Sequence, residues 1–153
     1  MPRVTGSTWV RRLEWAIAFA GALPFAVATV ALLWGDSHIR VPAIAALVTV
    51  SAIVLSHLGG IEAGLALHDE SATTSTRTIA IGLGVVASVA AWSVLWLPSP
   101  QSQLATSLGL FVAMWGADLW LSRHGLVPSW FVDLRTAITA LVAVILGIAL
   151  YLL

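Results

Sequence analysis

The sequence contains no cysteine and no lysine, and charged residues make up only 9% of its 153 positions. Without cysteine there is no disulfide, no thiol catalysis and no thiolate metal site. A soluble domain carries about 25% charged residues. So short a chain with so few charges cannot cover a water-facing surface, and its solvent must be largely lipid. The seven basic residues, all arginine, balance seven acids. No basic stripe with interleaved aromatics occurs, which argues against nucleic acid as a partner. No G-x-S-x-G or S-x-x-K stretch is present to support a serine nucleophile, and no catalytic constellation is legible.

What is abundant is apolar sequence, at 59% of the chain. A spanning helix needs about 20 such residues. Five stretches qualify, at about 13–34, 41–67, 78–97, 103–122 and 131–152, and they predict an all-α integral membrane bundle occupying the whole chain. A cleaved signal peptide ending near Ala28 is the competing reading of the first stretch, but the apolar run continues through Leu33. Pro24 lies mid-span and predicts a kink. Pro42 suits the first turn of the second helix. That second stretch is long enough to predict tilt or a local break at Gly59-Gly60.

With the N-terminus inside, Arg3, Arg11, Arg12, Arg77, Arg123 and Arg135 fall on the inner side and Arg40 alone falls outside. Arginine-rich short loops mark the cytoplasmic face. The expected topology is therefore N-terminus in and C-terminus out, in a bacterial inner membrane crossed several times. Trp9, Trp15, Trp120 and Trp130 near one interface and Trp34, Trp92 and Trp96 near the other fit aromatic belts. Trp115 lies deeper.

Lipid gives apolar helices little reason to associate, so close contact between small residues and polar pairs must supply it. Ala52, Ser56, Gly60 and Gly64 recur every four residues beside Gly59 and predict a smooth packing ridge on the second helix. Ala80-Gly84-Ser88, Ala105-Gly109-Ala113-Ala117 and Thr139-Ala143-Gly147 read as similar stripes on the other spans. A ridge on one side of the second helix and a carboxyl on another predict that this helix is central.

Ionisable groups at membrane depth are costly and tend to be paired or functional. At 1.5 Å per residue, Glu62 lies about 9 Å and His57 about 16 Å inside the inner end of the second helix, while Asp118 and Trp115 lie about 7 Å and 12 Å inside that of the fourth. Threading thus gathers Glu62 and Asp118 with Glu14, Asp133, Arg11, Arg12, Arg123 and Arg135. The first reading is a set of structural ion pairs clamping the inner ends. The second is a polar cavity for a ligand or protons built on His57, Glu62, Asp118 and Trp115. A metal site of His57, Glu62, Asp118 and His68 is poorly supported, because His57 and Glu62 diverge by about 140° on a helix. Haem ligation by His57 alone is weaker still. No cofactor is assigned.

The segments Gly21–Phe25 (GALPF), Ser56–Leu67 (SHLGGIEAGLAL) and Gly125–Arg135 (GLVPSWFVDLR) resemble a membrane family of unknown function, domain-of-unknown-function family 3429, which includes a eukaryotic mitochondrial transmembrane protein. The resemblance runs from about Leu13 to Leu153. The family pattern places an aromatic residue at position 57 and His-Trp at 62 and 63, where this chain has His57, Glu62 and Ala63, so no role for a histidine at 62 carries over. The resemblance implies a small multi-span protein of bacterial inner membranes and related organelles, with no established activity. Two functions are expected from the residues: an accessory or assembly protein packing with itself or a larger membrane complex, or a small carrier, channel or hydrophobic-ligand binder using an inner-leaflet cavity around Glu62, His57 and Asp118.

Overall fold

The computed structural model describes residues 8–68 and 72–153; Arg3 and the acidic pair Asp69-Glu70 lie outside them. Five helices follow one another: α1 (Thr8–Trp34), α2 (Ser37–His68), α3 (Thr74–Val94), α4 (Pro100–Arg123) and α5 (Ser129–Tyr151). All five are long and apolar enough to cross a membrane.

Local chemistry sets the helix ends. Asp36 accepts from the backbone N–H groups of His38 and Ile39 through Oδ1, an N-cap that satisfies donors left over at a helix start. That cap starts α2 at Ser37, four residues before the expected boundary, so Pro42 sits past the first turn. Thr73 caps α3, and Ser99 with Ser102 forms a capping box on α4. Arg77 reaches from α3 to the end of α2, its Nε donating to the Ala66 carbonyl at 2.8 Å. At the opposite end, Arg40 donates to the carbonyl of Leu152 at 2.9 Å.

Of the expected tilt or local break at Gly59-Gly60, the break is absent: α2 runs unbroken through its 32 residues. Gly59 instead meets Gly84 of α3 backbone to backbone. A Cβ on Gly59 would lie 2.5 Å from the Gly84 carbonyl oxygen, and one on Gly84 would strike the Gly59 carbonyl in return. The Ser88 hydroxyl, already bonded to the Gly84 carbonyl at 3.0 Å, also reaches the Ser56 carbonyl at 3.4 Å. The packing ridge is thus displaced from the expected one. It runs through Ala52, Leu55, Gly59 and Ala66, all buried, while Ser56, Gly60 and Gly64 are exposed. The Ala105-Gly109-Ala113 stripe of α4 also faces outward. The packed face of α4 is Leu104, Ser107, Phe111, Met114, Asp118 and Leu121. Small residues that face hydrocarbon leave no polar group unsatisfied, so nothing obliges them to lie inward.

Helix α2 packs on α1, α3 and α4, and α5 closes the ring between α4 and α1. The α2–α4 contact divides the ring in two. On one side α2, α3 and α4 pack tightly. On the other, α1, α2, α4 and α5 enclose a space with no backbone approach within 8 Å across either diagonal among the described residues. One diagonal is bridged by Phe25 and Phe111, whose rings meet edge to face at 6.0 Å. Across the other, α2 to α5, Glu62 lies near Arg135.

Candidate functional site

Three charged residues are buried inside the four-helix space: Glu62 on α2, Asp118 on α4 and Arg135 on α5, at 2%, 1% and 5% exposure. Arg135 Nε donates to Asp118 Oδ2 at 2.6 Å, the one ion pair among the described residues. Charge-assisted contacts of this kind are the strong ones. The Glu62 carboxyl lies within hydrogen-bond reach of the Asp118 carboxyl and beside Arg135, yet no donor N–H or O–H group reaches either of its oxygens. Two acids and one guanidinium share a volume closed to water, where an unbalanced charge is expensive.

The remaining acids and arginines near this end of the bundle do not form the expected clamp. Glu14 is half-buried, while Arg11, Arg12, Arg123 and Asp133 are exposed, and none makes an ion pair among the described residues. Their side chains reach solvent or the interface, where an ion pair gains little. Trp115 is placed elsewhere too. Its Nε1 donates to Thr136 Oγ1 at 2.9 Å, and Thr136 in turn bonds the Val132 carbonyl at 2.8 Å. The indole thus ties α4 to α5. No three His, Asp or Glu side chains cluster for a metal among the described residues, and His57 and Glu62 point to different surroundings, as their spacing requires.

A cavity of about 420 Å³ occupies the gap between α1, α2 and α5. Small-molecule pockets run from about 300 to 1,000 Å³. Its walls are mostly apolar, and its polar groups are Glu14, His57, Arg135 and Thr139. Helical rise orders them: Glu14 and Arg135 sit near the arginine-rich end, with Phe25, Phe111 and Val142 roughly 10–16 Å further along their helices. Glu62 and Asp118 lie behind Arg135 and do not line the chamber. Arg135 is therefore the hinge of the site, a cavity wall on one side and the partner of a buried acid on the other.

Two further observations mark this wall. The Nη2 of Arg135 is buried with no hydrogen-bond partner, and so is the hydroxyl of Thr139 one turn along α5. Buried polar groups without a partner are rare and call for an explanation. Sequence spacing pointed to Thr139 only as a member of a small-residue stripe. Its role in the wall follows from lying four residues after Arg135 on the same helix face.

The fold and site define a class: a helical membrane bundle with a lateral chamber backed by a buried ion pair. The chain belongs to the family described as protein of unknown function (DUF3429), which it matches over residues 10–151. No curated protein and no solved structure matches it.

Proposed function

We infer that this protein is a small binder of an amphipathic, membrane-dissolved molecule, held in the chamber between α1, α2 and α5. The observation that carries this reading is the cavity itself, an apolar hollow of about 420 Å³ with Glu14, Arg135 and Thr139 toward one end and His57 deeper on the α2 wall. A bundle built only to hold itself together would close such a space, because side chains around a void lose their dispersion contacts. The polar cavity expected from the sequence around His57, Glu62 and Asp118 is revised accordingly: His57 lines the chamber, Arg135 anchors it, and the two acids stand behind.

The arginine distribution supports a bacterial inner-membrane location with the N-terminus cytoplasmic. Arg11, Arg12, Arg77, Arg123 and Arg135 lie at one end of the bundle, where α1, α3 and α5 begin, and Arg40 lies at the other. The chamber's polar end then belongs to the inner leaflet.

Assembly with itself or with a larger membrane complex is the second reading. It is favoured by the Ser56-Gly60-Gly64 face of α2, which the bundle leaves uncovered. A ridge of small residues on an outer face lets a neighbouring helix approach closely.

The test is native mass spectrometry of mildly solubilised protein. Gly21 lines the chamber, and a Cβ there meets nothing within 4 Å, so Gly21→Trp fills the space without a backbone clash. Wild type is expected to carry a small molecule that Gly21→Trp lacks at unchanged melting temperature. Equal occupancy in the two proteins would refute the chamber as a binding site.

A further inference from the structure

Resting on the chamber as a binding site, we propose that its ligand is an uncharged amphiphile that presents a carbonyl oxygen to Arg135 and Thr139. The wall of α5 offers donors and lacks acceptors to receive them. Arg135 Nη2 and Thr139 Oγ1 are both buried and unpartnered, on residues at 5% and 6% exposure, one helical turn apart and lining the same cavity. A ligand carbonyl has two lone pairs and accepts from both at once. Leaving a buried donor unmade is expensive, and making its bond on ligand arrival is correspondingly selective.

Charge decides against the alternatives. The guanidinium already faces Asp118 at 2.6 Å, with Glu62 beside the pair. A carboxylate or phosphate ligand would bring a further anion to a guanidinium already neutralised by Asp118, in a poorly screened space. A cationic ligand would meet the guanidinium itself. Glu14 at the rim and His57 on the α2 wall complete the charged or titratable groups facing the chamber from the helices around it. A neutral head satisfies the donors without disturbing the Asp118–Arg135 balance, and its apolar body extends toward Phe25 and Phe111. Ring carbonyls of quinones and ester carbonyls of acylglycerols share this chemistry.

The test is equilibrium binding to purified protein in nanodiscs with one ten-carbon tail on five heads: a decyl-benzoquinone, monodecanoylglycerol, decanoate, decylamine and plain decane. Wild type is expected to bind one or both neutral carbonyl probes at least tenfold more tightly than the other three. Which of the two leads identifies the source of the carbonyl. Thr139→Val is expected to weaken the leading probe about five- to tenfold, the worth of one hydrogen bond, and to leave decane unaffected. Thr139→Ser, which keeps the hydroxyl, should retain binding. Arg135→Lys, which keeps a cation and loses Nη2, should weaken binding while a melting curve reports that the bundle is intact. Equal or tighter binding of decanoate or decylamine would overturn the proposal, and so would Thr139→Val binding within twofold of wild type. If no probe binds wild type more tightly than Gly21→Trp, the chamber reading falls with it.

Discussion

Arg135 on α5 holds Asp118 on α4 at 2.6 Å from Nε to Oδ2, while Glu62 of α2 stands beside the pair with no donor group on either oxygen. The three residues are therefore not equivalent, and their variants should separate. Arg135→Met strands two buried carboxyls and is expected to cost about 3–5 kcal/mol. Asp118→Asn leaves the guanidinium with Glu62 as a substitute partner, and should cost about 1–3 kcal/mol. Glu62→Gln removes the surplus acid and should change stability by less than about 1 kcal/mol. Detergent unfolding curves for the three variants check the order. A Glu62→Gln protein as unstable as Arg135→Met would show that Glu62 carries the clamp.

The glycines of α2 and α3 should divide sharply. Gly59→Ala and Gly84→Ala each drive a methyl into the carbonyl of the facing glycine, and overpacking of this kind costs about 1–3 kcal/mol. Gly60→Ala and Gly64→Ala meet nothing within 4 Å and should leave the monomer's melting temperature unchanged or slightly raised, since alanine is the better helix former. Any effect of the latter pair should instead show in cross-linking between copies of the chain or with a partner.

Helix ends give a smaller, separate signal. Asp36→Ala removes the acceptor for two backbone N–H groups at the start of α2, and Arg77→Gln removes the guanidinium that closes its other end. Each should lower stability by about 1 kcal/mol. The sites lie at opposite ends of a 32-residue helix, so the double variant should show the sum of the two losses within about 0.5 kcal/mol.

Orientation is directly testable because the chain has no cysteine of its own. In whole cells, a membrane-impermeant maleimide should label Gln101→Cys, which lies with Arg40 at the outer end. Ser129→Cys should be labelled only after the membrane is permeabilised. The reverse pattern would invert the assignment of the arginine-rich end to the cytoplasm.

Hydropathy alone makes the five spans readable, because each helix must bury its own backbone in lipid. Helix ends are less legible. The start of α2 depends on a cap at Asp36, and α5 opens at Ser129, two residues before the expected start, which places Arg135 about a turn and a half inside. At that depth Arg135 is level with Asp118, which lies about 7 Å inside the end of α4, whereas Arg11, Arg12 and Arg123 lie at the helix ends. The ridge misreading has a different cause. In water, polar and apolar faces tell a helix which side is inside. In lipid both sides are apolar, so Gly59 and Gly60 look alike although they lie about 100° apart on the helix. The outline of the chamber left no trace in the pattern, since a void is a property of helices that fail to meet. Of its polar groups, His57 stood out as a titratable residue at depth within an expected polar cavity, and Glu14 and Arg135 as charges where their helices begin.

The meeting of Gly59 with Gly84 has a mechanical side. Two peptide backbones touch there with no side chain between them to rearrange, so the contact between α2 and α3 has little room to slide. Another wall of the chamber is α1. It carries Pro24, which cannot donate to the carbonyl of Ala20, and a rod with one rung missing yields more easily than an intact one.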